Sequence, residues 1–286
     1  MRHFCSETMK VSQVVLITAL MAFATVQTLA AQPPGSGSDP TDSKASITFD
    51  LANKKSISGH VYIAHATGSR MKTPRNVGGG LINLKEAMTK YTKIDTKVDR
   101  QIRLSSREIL KLPYVYIAFE GGFDLTEPER SNLKAYLENG GFIMLEQFAM
   151  AKEQTSSGSA FSRMISKVLG SKARVSPLRN NHNIYHSFFD FTDGPPQGGE
   201  AITHVVGSTY TIVPGNPVAT RIDSEVSGKK VDYIEGINMN GRLVGICSSK
   251  RYLAKWQERG NNDPQLKFGV NTIVFALTQK GGIARR

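Results

Sequence analysis

Apolar and polar positions follow strand-like and helix-like periods along the chain from residue 57 onwards. Residues 57–65 (ISGHVYIAH) predict a strand, and a helix is predicted after the three glycines at 78–80, because apolar side chains then recur every three or four positions. Residues 93–98 alternate and predict the next strand, and Ser105 with Glu108 has the spacing of a capping box before a short helix. Strands and helices that follow one another in this way are typical of an α/β domain.

The strongest pattern is a strand, a helix and a second strand in the middle of the chain. Residues 113–119 (PYVYIAF) are almost continuously apolar, which is typical of a parallel strand buried on both faces. Thr126 and Glu129 have capping-box spacing at the start of an amphipathic helix that Gly140 ends. Residues 141–145 (GFIML) predict the next buried strand. A unit of this length indicates a parallel crossover connection.

The second half of the chain has shorter strands between turns. A helix predicted at 158–169 is followed by predicted strands at 201–206 and 242–247, and the Asn-Gly pair at 240–241 is a hairpin signal. A last helix is predicted at 265–278. The predicted fold class is therefore α/β: an open, mostly parallel sheet flanked by helices, with an added β-rich portion.

The first thirty residues have the three parts of a secretory signal. Residues 11–38 contain no charged residue, Lys10 precedes them, and a compact apolar stretch is followed by the small residues of Leu29-Ala30-Ala31. A cleaved signal peptide predicts a periplasmic or secreted protein. An uncleaved membrane anchor is the alternative, and the leader would then be the chain's only membrane contact.

Three segments are predicted along the whole chain. Residues 1–31 form the signal peptide, and residues 32–46, rich in Pro, Gly, Ser and Asp, form a flexible linker. Residues 47–286 form one α/β domain. Of the two cysteines, Cys5 lies in the leader, so Cys247 remains as one thiol without an internal disulfide partner.

Charge narrows the possible partners. The chain has 36 basic and 24 acidic residues and a net charge of +12, of which the leader holds only two bases and one acid. A basic balance favours anionic surroundings, so envelope proteins or an anionic surface polymer are the expected partners. Because the basic residues are scattered, an ordinary solvated surface is the alternative. Nucleic acid is not expected, since export would keep the protein away from it.

Four segments carry a resemblance to a known family: PYVYIAFEGGFDLTEPERSNLKAYLENGGFIMLEQF, NHNIYHSFF, GRLVGICSS and LKFGVNTIVFALT. They resemble the bacterial domain of unknown function 4159 family over roughly residues 57–278. The resemblance implies a flavodoxin-like or class I glutamine amidotransferase-like fold and an envelope setting, without an established reaction. Family members often have paired aspartates where this chain has Glu146-Gln147. This difference from the family argues against any role that needs two acidic groups at these positions.

The resemblance does not extend to an amidotransferase active site. Such an enzyme needs a nucleophilic cysteine at the turn after a central strand, where this chain has Glu120-Gly121-Gly122. Cys247 instead lies inside a predicted strand. Cysteine-dependent amidotransferase activity is therefore not expected.

Candidate site residues follow from the predicted strand ends. In open α/β sheets ligands bind beyond the carboxyl ends of the strands, where His65, Glu120 and Glu146 are predicted to lie. Gly121 and Gly122 let the backbone turn sharply towards a ligand. The alternative for both carboxylates is a structural role, as caps of backbone amides or as partners of Lys or Arg.

His182 and His186 are four residues apart, which would suit a metal if they lay on a helix. Their Asn-rich surroundings favour a loop, so no metal site and no cofactor is predicted, and His182 and His186 are retained as cleft-lining candidates. The glycines at 78–80 open a predicted helix whose amides are a weak anion-binding signal.

Three functional hypotheses remain, and the third of them is tethering to a polyanion through the net positive charge. The first is an exported cell-envelope protein that acts as a non-catalytic binding or assembly module. The second is a hydrolase of a cell-wall or surface polymer in which Glu120, Glu146 and His182 are catalytic, with His65, Gly121, Gly122 and His186 binding the ligand. The hydrolase hypothesis requires these side chains to surround one pocket.

Overall fold

The structure is a computed structural model that describes residues 44–50, 52–120, 124–148, 157–199, 203–206, 209–212 and 233–285. For residues 157–161, 203–206 and 209–212 it describes the backbone alone. These residues all belong to the unit Ser38–Arg286. The predicted signal peptide and most of the predicted linker lie outside the described residues. Within them, no helix combines the length and apolar character needed to cross a bilayer.

Strands account for much of the described chain. They are β1 (Ala45–Asp50), β2 (Asn53–Thr67), β3 (Lys93–Val98), β4 (Ile102–Arg103), β5 (Tyr114–Phe119), β6 (Phe142–Gln147), β7 (Ala173–Pro177), β8 (Thr203–Val206), β9 (Thr209–Ile212), β10 (Glu235–Met239) and β11 (Arg242–Ser248). Nine of these described strands form one sheet in the order β1-β2-β5-β6-β11-β10-β7, with β3 and β4 also paired to β2. Strands β8 and β9 form a separate antiparallel pair.

The centre of the sheet is parallel. Strands β2, β5, β6 and β11 are parallel neighbours, and β3 and β4 are parallel to β2. Among the described strands of this sheet, the antiparallel pairs are β1 with β2 and β10 with both β11 and β7. The predicted fold class, an open and mostly parallel α/β sheet, is therefore confirmed.

Helices cover both faces of the sheet. The α-helices are α1 (Val77–Tyr91), α2 (Glu127–Glu138), α3 (Ser157–Leu169), α4 (Tyr252–Trp256) and α5 (Asp263–Thr278), and two of the 3₁₀ helices are Arg107–Lys111 and Asn183–His186. Buried residues of α1, α4 and α5 share one hydrophobic core with one face of the sheet. Those of α2 and α3 share a second core with the other face. Because both faces are covered, all six residues of β5 are buried.

Local signals in the sequence account for several boundaries. The Thr126–Glu129 capping box is present at the start of α2, and Gly140 follows that helix with φ of 92°. Asn240 and Gly241, with φ of 50° and 78°, form the turn between β10 and β11. Each signal uses a side chain or a backbone conformation that only a few residue types supply.

Three boundaries differ from the predictions. Strand β1 begins at Ala45, inside the predicted linker, so the domain starts before residue 47. The glycines at 78–80 belong to the first turn of α1, and Gly80 is buried against Leu253 of α4, where an added Cβ would overlap the leucine side chain. Ser106, not Ser105, caps the 3₁₀ helix, accepting a hydrogen bond from the amide of Glu108.

Asn271 of α5 anchors the segment that carries the two candidate histidines. Its side chain is fully buried, and its Oδ1 accepts a hydrogen bond from the amide of Phe189 at 2.7 Å. Its Nδ2 donates to the carbonyls of Phe189 at 2.8 Å and Ile184 at 3.2 Å. These three bonds fix residues 184–189 against α5.

We predict that Asn271→Ala lowers the free energy of unfolding by about 2–3 kcal/mol, because the amide of Phe189 loses its acceptor inside the core. Urea denaturation followed by circular dichroism measures the change. Asn183→Ala, at an exposed position in the same segment, serves as the control and should stay within about 0.5 kcal/mol of the parent protein. Equal effects of the two substitutions would contradict the anchoring role of Asn271.

Candidate functional site

Four polar side chains form a buried row across neighbouring parallel strands near their carboxyl ends. They are His65 on β2, Tyr116 on β5, Glu146 on β6 and Ser248 on β11, and none is more than 5% exposed. His65 pairs in register with Tyr116, and Glu146 pairs with Ser248. All four face the side of the sheet that α1, α4 and α5 cover, because side chains two residues earlier on each strand belong to that core.

Glu146 is the most connected member of this polar row. Its Oε1 accepts a hydrogen bond from the backbone amide of Tyr252 at 2.7 Å. Its Oε2 accepts from the amide of Leu253 at 2.9 Å and from the Tyr116 hydroxyl at 2.5 Å. The carboxylate therefore satisfies the first amides of α4, which have no partner within the helix. The alternative of a structural cap, left open by the sequence, matches this geometry.

The local backbone explains why α4 starts above Glu146. Arg251 precedes the helix in the left-handed conformation, with φ of 56°, and this turn directs the next two amides at the carboxylate. Burial raises the pKa of Glu146, while the hydrogen bonds from Tyr116, Leu253, Tyr252 and Ser248 oppose that rise. A carboxyl group without exposed surface cannot contact a substrate directly.

His65 lies at the other end of the polar row. Its ring centroid is 6.4 Å from that of Tyr116, and its Nε2 is buried without a hydrogen-bond partner among the described residues. Burial lowers its pKa to about 4, so the ring is neutral at neutral pH. His65 therefore adds no charge to this edge of the sheet.

The rim of the carboxyl edge is charged. Glu120 directly follows β5, and its carboxylate forms a salt bridge of 2.6 Å with Lys72. The two residues also pair through their backbones, since the Glu120 amide donates to the Lys72 carbonyl at 2.7 Å. The guanidinium of Arg251 lies 5.2 Å from the centre of the Phe148 ring. Glu120 is thus the one predicted carboxylate at this edge that reaches solvent.

His182 and His186 lie at the opposite, amino edge of the sheet. They line a groove together with Asp50 at the end of β1 and with Asn240 and Gly241 in the turn before β11. Glu120 and Glu146 lie at the carboxyl ends of their strands, so the structure does not bring the three proposed catalytic residues together. The predicted convergence of Glu120, Glu146 and His182 in one cleft is wrong, because the segment of His182 is anchored to α5 rather than over the strand ends.

The two histidines are not arranged as a metal pair. Nδ1 of His182 accepts a hydrogen bond from the amide of Ile184 at 3.1 Å. Both ring nitrogens of His186 face protein oxygens, those of Asp190 at 3.2 Å and of the Asn180 carbonyl at 3.0 Å. Among the described residues, no group of three His, Cys, Asp or Glu side chains is placed to hold a metal ion.

The remaining candidates have simple placements. Gly121 and Gly122 lie outside the described residues. Cys247 is buried within β11, and burial raises the pKa of its thiol well above the ordinary value. A protonated thiol inside a strand is a poor nucleophile.

Sequence reasoning missed three residues of this edge: Tyr116, Ser248 and Arg251. Tyr116 lies inside a predicted strand and pairs in register with His65, and Ser248 lies one residue beyond the predicted strand 242–247 and pairs in register with Glu146. Alternation along the predicted strand 113–119 could have identified Tyr116, and Ser248 would have followed from extending the strand 242–247 by one residue. Arg251 had no signal in the sequence, because a left-handed arginine cannot be recognised from residue type.

The fold and the polar row define an α/β protein with an open, mostly parallel sheet whose carboxyl edge is closed by a short helix. The chain belongs to the family described as Domain of unknown function (DUF4159), whose model matches residues 61–277. The matched segment includes the strands β5, β6 and β11 and nearly all of α5. No curated protein matches the chain.

We predict that Glu146→Gln lowers the free energy of unfolding by about 2 kcal/mol or more, because one of the α4 amides then faces an NH₂ group instead of an oxygen. Glu120→Gln removes only a salt bridge at the rim and should change stability by less than about 1 kcal/mol. Guanidinium denaturation of both variants measures the contrast. A Glu146→Gln variant as stable as the Glu120→Gln variant would contradict the capping role.

His65 predicts a pH dependence of stability. Its pKa is lowered from 6.5 to about 4 on folding, so the unfolded chain binds a proton between these values that the folded protein does not. Stability is full above pH 6.5 and falls as the pH decreases towards 4, by about 2 kcal/mol between pH 7 and pH 5.

The matched variant is His65→Phe, which keeps a ring but cannot ionise. Denaturation midpoints at pH 7 and pH 5 should move less in the variant than in the parent protein, by the amount that His65 contributes. The same pH slope in both proteins would refute a buried neutral His65.

Proposed function

We propose that the protein is exported to a bacterial cell envelope, periplasmic or secreted, and acts there as a non-catalytic binding or assembly module. The proposal of a non-catalytic role rests on the structural role of Glu146. Its two carboxylate oxygens accept hydrogen bonds from Tyr116, Tyr252 and Leu253 in the core. The carboxylate with the best position for acid or base chemistry is thus a structural part of the fold.

The alternative hydrolase has less support from the same residues. It would need Glu120, Glu146 and His182 around one substrate, and these side chains lie at two edges of the sheet. Geometry is the first requirement for acid and base catalysis, before any pKa. The binding module requires no such convergence, and we therefore favour it.

We infer that the domain is related to glutamine amidotransferase-like domains. The order β2-β5-β6-β11 is an open parallel sheet with helices on both faces, as that fold class requires. An amidotransferase-like domain that lacks the nucleophilic cysteine would keep the fold and lose the amidotransferase reaction. The buried thiol of Cys247 supports the loss of cysteine-dependent chemistry, not the relationship itself.

Export is inferred from Lys10, from the uncharged apolar stretch that follows it and from the small residues of Leu29-Ala30-Ala31.

We predict that the full chain, expressed in a bacterial host with a periplasm, is recovered there with Ala31 or Gln32 as its first residue. Mass spectrometry of the intact protein measures the cleavage. A double Leu16→Arg, Leu20→Arg variant interrupts the apolar stretch and should remain uncleaved in the cytoplasm. Recovery of the parent chain at full length would contradict a cleaved signal.

A further inference from the structure

The amino edge of the sheet has an open groove that the family description does not assign. The groove has a volume of about 760 Å³ and lies between the β1–β2 hairpin, the 3₁₀ helix Asn183–His186, the β10–β11 hairpin and the carboxyl end of α5. This volume lies within the range of sites that bind small molecules. The groove is separate from the buried polar row, which lies at the other edge of the sheet.

Unsatisfied hydrogen-bond donors line this groove. Nε2 of Gln279 is buried and has no partner among the described residues. A buried donor of this kind is destabilising by about 1–3 kcal/mol unless something accepts its hydrogen bond. An acceptor on a ligand would satisfy this donor once the Gln279 side chain turns its amide towards the open space of the groove.

His182 supplies a second donor. Because its Nδ1 accepts a hydrogen bond from the amide of Ile184, the neutral ring carries its hydrogen on Nε2. Burial lowers the pKa of His182, which favours that neutral form. No protein acceptor for this hydrogen lies within hydrogen-bonding distance in the described part of the chain.

Charge in the groove is mainly positive. Lys54 and Lys280 line it, and Asp50 is the one carboxylate among its lining residues. Lys54 is already engaged, because its Nζ donates to the His186 carbonyl and lies 3.9 Å from the Asp190 carboxylate. Arg242 also lines it but donates to the carbonyls of Leu137 in α2 and Gly141 after that helix, so it is held by the fold. Lys280 is exposed and forms no ion pair with the described residues. An anionic group on the ligand would complement this balance.

An aromatic wall stands beside the donors. The ring of Phe275 lies 5.7 Å from that of His182, and Phe49 lines the other side of the groove. Apolar ring faces next to a few convergent polar groups suit a ligand with both a carbon skeleton and many oxygens. A sugar ring has hydroxyl oxygens as acceptors and apolar C–H faces, and a carboxylate on it would meet Lys280.

We propose that this groove binds an acidic saccharide, a sugar unit that carries a carboxylate. The proposal rests on the proposed function, since it names the ligand of the binding module. The shared chemistry allows two sources, a free acidic sugar or a unit of an anionic surface polymer.

Isothermal titration calorimetry of the exported protein tests the site, with galacturonic acid and a galacturonate oligomer as probes and neutral dextran as the control polymer. We expect both acidic probes to bind and dextran not to bind. Equal affinity per site for the two acidic probes indicates a free sugar, and tighter binding of the oligomer indicates a polymer. Failure of both acidic probes to bind would overturn the proposal.

Three variants separate this site from general surface charge. Lys280→Glu should weaken binding about tenfold. Lys167→Glu makes the same charge change at an exposed position of α3, on the opposite face of the sheet, and should change affinity less than roughly twofold. Gln279→Ala should weaken binding without lowering the stability of the free protein, because it removes a donor that has no partner. Equal losses for Lys280→Glu and Lys167→Glu would refute a specific groove.

The fate of the oligomer distinguishes this proposal from the proposed function. Chromatography of the oligomer after titration shows whether its length has changed. Shortened chains would contradict the non-catalytic function while leaving the groove as the binding site. An oligomer that keeps its length and does not bind would overturn the proposed ligand of the groove without contradicting the non-catalytic function.

Discussion

The carboxylate of Glu146 joins the central sheet to the helix that closes its carboxyl edge. The bond to the Tyr252 amide spans 106 positions of the chain, so it is a long-range contact rather than a local cap. With α4 fixed there, the Tyr252 hydroxyl donates to the Pro196 carbonyl at 2.8 Å, and Gly198 packs against the Lys250 carbonyl without room for a Cβ. The loop of residues 196–199 therefore depends on the same carboxylate.

This constraint divides the molecule into two edges with different properties. At the carboxyl edge, the polar row is buried beneath α4, and the partly exposed carboxylate of Glu120 is paired with Lys72. At the amino edge, donors without protein partners line an open groove. Ligands in open α/β sheets usually occupy the carboxyl edge. Among the described residues, buried polar atoms without a partner occur at both edges: Nε2 of His65 at the carboxyl edge and Nε2 of Gln279 beside the groove at the amino edge.

Much of the fold was predictable because its signals are local. The apolar run of β5, the Thr126–Glu129 capping box and the Asn240-Gly241 turn each identify one element from a few neighbouring residues. The position of Glu146 at the end of β6 was predictable for the same reason. Its partners were not, because α4 has only five residues and starts at a left-handed arginine. The placement of His182 at the amino edge of the sheet was equally unpredictable from local signals, because it depends on Asn271, which lies far along the chain.

Hydrogen exchange at the amides of Tyr252 and Leu253 tests the central role of Glu146 most directly. In a helix as short as α4, first-turn amides without partners would exchange at nearly the rate of an unfolded peptide. The structure predicts instead that these two amides open only when the whole domain unfolds, so their protection should equal that of amides in β5. Rapid exchange at Tyr252 and Leu253 in an otherwise protected domain would contradict the account.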